Sequence, residues 1–75
     1  MSGPFAFLAD APLGMRVVVR TRISGGYTDA LGFLRSRDAA SVSVETQRGL
    51  VTLAMVDVVA AKEVPPAPEP RVRRS

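Results

Sequence analysis

The chain has 75 residues, with ten Lys and Arg against seven Asp and Glu, and it contains neither Cys nor His. One small domain fits that length, and a chain this short buries only about 60% of the surface it exposes when unfolded. Disulfide staples, Cys/His zinc sites, thiol nucleophiles and imidazole bases are all excluded, so a compact apolar core or docking onto a partner must supply the stability.

The formal charge of +3 is unevenly placed. Residues 1–64 carry seven basic and six acidic groups, whereas residues 65–75 add Arg71, Arg73 and Arg74 against Glu69 alone. The body is therefore nearly neutral, and the high pI belongs largely to the tail. Proteins that grip phosphates show a denser basic stripe. No segment reads as a membrane or secretory signal. The apolar run from Phe5 to Ala9 has no basic residue before it, and Asp10 follows directly. The most apolar region, Leu50 to Ala61, is interrupted by Asp57 and falls short of the ~20 residues a bilayer span needs. These features predict a cytoplasmic protein with no membrane partner.

In chain order, residues 1–12 form an apolar arm in which Phe5, Phe7 and Leu8 are too apolar for an idle tail. They are expected to tuck against the domain or to meet a partner, with packing the favoured reading. Pro12-Leu13-Gly14 punctuates the entry into structure. Met15 to Thr21 alternates with period 2, placing Met15, Val17, Val19 and Thr21 on one face and Arg16, Val18, Arg20 and Arg22 on the other, which predicts a half-buried strand. Ser24-Gly25-Gly26 then turns the chain.

Tyr27 to Arg35 is ambiguous. Thr28 or Asp29 could cap a short helix, but Gly32 lies mid-segment and costs about 1 kcal/mol in a helix interior. A strand is favoured, with Gly32 marking a bend or bulge. Ser36-Arg37-Asp38 reads as a tight turn. Ala40 to Thr46 predicts a strand with Val42, Val44 and Thr46 inward, and Gln47-Arg48-Gly49 a hairpin turn with Gly49 at positive φ. Leu50 to Met55 is the return strand, with Val51, Leu53 and Met55 inward. Val56-Asp57 predicts a short 3-10 turn, and Val58 to Val64 a closing strand; β-branched residues argue against a helix across this region. Four prolines within residues 65–70 predict an extended linker, followed by a disordered basic end.

The fold class expected is therefore all-β: a small five-stranded SH3-like barrel over residues 13–64, with a proline-rich tail over 65–75. Closure would remove the exposed edges that template aggregation.

Four segments carry a resemblance: Leu13 to Arg20, Gly25 to Gly32, Thr46 to Gly49, and Asp57-Val58-Val59-Ala60-Ala61-Lys62-Glu63-Val64 through Pro68. Together they resemble the SH3-like N-terminal domain that precedes the catalytic domain in GNAT acetyltransferases from high-GC bacteria. The closing segment is the most specific part. Arg37-Asp38 stands where that family often has a Trp-Asp pair, and Ala54 and Met55 stand where it usually has a proline and a basic residue. The resemblance implies a non-catalytic accessory module that works by packing on an acetyltransferase domain or another protein. This chain shows no glycine-rich helix start able to hold the pyrophosphate of acetyl-CoA.

No catalytic or metal-binding constellation emerges, and no cofactor is implied. Ser and Thr have no His to activate them, Lys62 is the only lysine, and Asp57 reads as a cap for the helical turn. The candidate partner-binding residues are Phe5, Phe7, Leu8 and Tyr27. An alternative reading is a free-standing barrel that binds nucleic acid or an acidic partner through Arg16, Arg20, Arg22, Arg71, Arg73 and Arg74, with Tyr27 stacking on a base. The competing structural reading of the arginine triplet is a solvated face whose charges meet Glu45. Recognition of proline-rich peptides is disfavoured, because that groove needs more aromatics than Phe5, Phe7, Phe33 and Tyr27 supply. The sequence leaves self-association open.

Overall fold

The period-2 alternation of β-branched residues survives into three dimensions almost residue for residue. The structure, a computed structural model, describes residues 3–65. A short helix α1 (Pro4–Asp10) precedes β1 (Arg16–Ile23), β2 (Gly26–Arg37), β3 (Ser41–Thr46), β4 (Gly49–Ala54), one 3-10 turn (Met55–Asp57) and β5 (Val58–Glu63). In β1, Val17, Val19 and Thr21 are buried and Arg20 and Arg22 exposed. In β3, Val42 and Val44 are buried, while Val51 and Leu53 of β4 are half-buried. Tyr27 to Arg35 is strand throughout, with Ala30, Gly32 and Leu34 turned inward.

The five strands form one antiparallel sheet in the order β4-β3-β2-β1-β5. The polypeptide thus makes three hairpins and then crosses back, through the 3-10 turn, to lay β5 beside β1. In the hydrogen-bonded order β4 and β5 are the two outer strands. The barrel expectation is met at the level of an all-β domain with five antiparallel strands and a 3-10 turn before the last of them.

Backbone chemistry sets the turns. Ile23 pairs with Gly26, so Ser24 and Gly25 alone reverse the chain, and Gly25 has φ +83°, which costs an L side chain steric strain. Gly49 has φ +123° and follows the Gln47-Arg48 reversal. Two expectations need correction. The register shift in β2 falls between Leu34 and Ser36, leaving Arg35 as the extra residue, and not at Gly32. The next turn also starts later than Ser36, because Ser36 and Arg37 still pair with β3. Asp38 makes that turn: its Oδ1 accepts from the backbone N–H groups of Ala40 and Ser41, both at 2.8 Å.

The inward faces meet in a core of Leu8, Ala11, Val17, Val19, Ala30, Leu34, Val42, Val44, Met55 and Val58. The apolar arm contributes through α1, a helix that the sequence reading missed. Pro4 occupies the first turn, where its missing N–H has no intrahelical partner to lose. The Phe7 N–H donates to the Gly3 carbonyl at 3.0 Å. The helix packs on β5 and inserts Leu8, which is wholly shielded from solvent. Burial of such a side chain stabilises by roughly 1.5–3 kcal/mol. Arg37 then ties the segment to the end of β2 by donating from Nη1 to the Ala11 carbonyl at 2.5 Å.

Candidate functional site

Because antiparallel partners point to the same side of a sheet, the register defines the outward face. Arg16 lies opposite Phe33, Val18 opposite Leu31, Arg20 opposite Asp29, and Arg22 opposite Tyr27. On the other side of β1, Lys62 of β5 lies opposite Val18. Phe33 also faces Glu45, and Glu45 faces Leu50, so one row crosses four strands as Arg16, Phe33, Glu45 and Leu50. The central apolar groups are open to solvent: Leu31 is 45% exposed, Phe33 43% and Leu50 62%. Tyr27 stands at one end, 60% exposed. An open groove of about 940 Å³ runs along this surface, with Arg16, Leu31 and Phe33 in its wall.

The charges on this face divide into two groups. Arg20 grips Asp29 with two hydrogen bonds, Nε to Oδ1 at 2.9 Å and Nη2 to Oδ2 at 3.3 Å. That pairing holds the Asp29 carboxyl below its ordinary value and raises the Arg20 guanidinium, the hydrogen bond being the main cause in each case. Arg35 donates from Nε to Glu45 Oε1 at 2.6 Å, and its guanidinium lies 5.6 Å from the centre of the Phe33 ring. The second group has no carboxylate partner among the described residues. Arg16 donates from Nη1 to the Pro65 carbonyl at 2.9 Å, a neutral acceptor, and Arg22 and Lys62 form no ion pair.

Arg16, Arg20, Arg22 and Tyr27 come together on the outward face. Their charges do not meet Glu45, as one reading held; Glu45 is taken by Arg35 across the β2–β3 pair, and Arg20 by Asp29. Leu8 is in the core and cannot touch a partner, Phe7 packs half-buried against that core, and Phe5 is 51% exposed. Arg71, Arg73 and Arg74 lie outside the described residues. Sequence reading missed Leu31, Phe33, Arg35 and Leu50. The signal was present: with Tyr27 to Arg35 taken as strand, every odd position falls on one face, and that row reads Tyr, Asp, Leu, Phe, Arg.

Among the described residues no group of three or more acidic side chains could hold a metal ion, and no helix is long and apolar enough to cross a membrane.

Fold and face together define a small antiparallel β domain. A family model described as the Rv0428c N-terminal Sm-like domain matches residues 11–62, and the chain belongs to that family. The match spans all but the last residue of the sheet and excludes α1. No curated protein and no solved structure matches the chain.

Proposed function

We propose that this chain is a non-catalytic accessory module: a five-stranded SH3-like domain of the kind that precedes the catalytic domain in GNAT acetyltransferases, working in the cytoplasm by packing on that domain or another protein. The observation that carries this reading is the outward face of β1 and β2. Single exposed apolar side chains are ordinary on a protein surface, whereas Val18 pairs directly with Leu31, and Phe33 follows Leu31 on the same face of β2. Membership in a family described as an N-terminal domain is consistent with a module that precedes another. Calorimetric titration of the chain with a GNAT-type acetyltransferase domain tests the reading. Micromolar or tighter association is expected, with no acetyl transfer by the chain alone. Absence of association, or acetyl transfer from acetyl-CoA by the isolated chain, overturns it.

A second reading, binding of single-stranded nucleic acid, has one observation in its favour: exposed Tyr27 stands across the β1–β2 pair from Arg22, which has no ion pair among the described residues. Oligonucleotide binding that weakens steeply between 50 and 200 mM salt is its expected signature.

A further inference from the structure

We propose that the outward face of β1 and β2 binds an acidic amphipathic helix of a partner protein, with Leu31 and Phe33 taking its apolar side chains and Arg16 and Arg22 pairing with its carboxylates. This assignment rests on the docking reading above and names the chemistry of the occupant.

The face carries Arg16, Arg20, Arg22, Arg35 and Lys62 against Asp29 and Glu45. Asp29 and Glu45 are each satisfied within the face, by Arg20 and Arg35, which leaves Arg16, Arg22 and Lys62 without carboxylates among the described residues. A second copy of the same face would bring like charge against like charge. The chain's own residues 66–75 carry three arginines and one glutamate, so they have the wrong sign as well. Both self-occupants are disfavoured by electrostatics, and an acidic occupant is favoured.

Arrangement then separates an amphipathic protein segment from a phosphate backbone. The unpaired cations sit at the margin: Arg16 and Arg22 near opposite ends of β1, and Lys62 across on β5. Between them Val18, Leu31 and Phe33 form an apolar patch beside the Arg20–Asp29 pair, whose charges satisfy each other. A nucleic-acid strand needs cations along its whole path and bare aromatic faces for its bases. Here the Phe33 ring already carries the Arg35 guanidinium, and Asp29 and Glu45 flank the central groups. An amphipathic helix places its charges at the edges and its apolar stripe at the centre.

Length fits too. Six residues of extended strand separate Arg16 from Arg22, about 20 Å at ~3.3 Å per residue. A helix rising ~1.5 Å per residue spans that distance in about 13 residues, or between three and four turns.

The test is an NMR titration of the full chain with a synthetic 18-residue helical peptide bearing a leucine stripe and glutamates about 14 residues apart, which returns them to the same side of the helix. Its controls are the same peptide with lysines for glutamates and a 12-residue oligothymidylate. Expected are amide shifts concentrated on residues 16–22 and 29–35, at least tenfold weaker binding for F33S, and several-fold weaker binding with a reduced salt slope for R22E. Both substituted side chains are exposed, and an unchanged spectrum outside the face shows that each variant folds. No binding of the glutamate peptide, equal binding of the lysine peptide, shifts centred elsewhere, or tighter binding of the oligothymidylate each overturn the assignment. Failure here with retained acetyltransferase association removes the acidic-helix occupant alone. The reverse pattern removes the acetyltransferase reading and leaves this one standing.

Discussion

At Gly32 the β2 backbone passes so close to β3 that a Cβ would overlap the Glu45 carbonyl, and both colliding groups are main chain. Neither can rotate away, as a flexible side chain would, so relief requires moving a strand. Gly32→Ala should therefore destabilise the domain by about 3 kcal/mol, the upper part of the usual overpacking range. Urea unfolding checks this, and a wild-type midpoint would remove the close-approach account. Asp38 supports a prediction of a different kind. Backbone N–H groups of Ala40 and Ser41 stabilise its ionised form and lower its pKa from 3.8, and Arg20 does the same for Asp29. Both carboxylates thus bind protons less readily folded than unfolded, so their contribution is complete above about pH 5 and fades as pH falls through and below 3.8. Asp38→Asn keeps an oxygen acceptor for the turn but removes the titration. Thermal melts from pH 6 to pH 2.5 should show a shallower acid decline for the variant than for the parent.

Among the elements, α1 is the one whose contribution is out of proportion to its length. Seven residues cannot hold a helix in water by themselves. Packing on β5 makes it possible, and Leu8 is the anchor. Leu8→Ala should cost about 2–5 kcal/mol, a large part of the stability of a domain this small. Loss of protection at the Ala11 amide, which donates to Phe7, should accompany it in hydrogen exchange. That helix was not legible in the sequence, since Phe5, Phe7 and Leu8 show apolarity without a readable period. Gly3-Pro4 was the available cue, a residue that caps easily before one suited to the first helical turn. The strands were legible for the opposite reason. Two faces alternate wherever valines and arginines or serines do, and glycines stand where the turns need positive φ. The end of β2 was misplaced because Ser36 and Arg37 look like turn residues, and nothing local announces that the bulge at Arg35 lets the strand run on to Arg37.

For the molecule as a whole, the core and the outward face are separate investments, and mutation should separate them. Leu31 and Phe33 lie outside the core cluster but are more than half covered, so replacing both by serine should lower the unfolding free energy by about 2 kcal/mol while leaving the domain folded. The same variant should lose its association with an acetyltransferase domain, read by calorimetry. Half of this face could be seen in advance. Arg16, Arg20 and Arg22 lie in or beside a stretch whose strand alternation was clear, but Leu31 and Phe33, like Tyr27, sit in the segment where helix and strand competed and a strand was only favoured. Pairing with β1 decided it, and such pairing is a long-range fact. The outer margin of β4 has a practical consequence. From Leu50 to Ala54 it offers unpaired backbone with no charged residue and no proline, the gatekeepers that usually blunt an exposed strand. Concentrated stocks should slowly bind thioflavin T as strands stack through that margin, and a single Thr52→Lys change should lengthen the lag before they do.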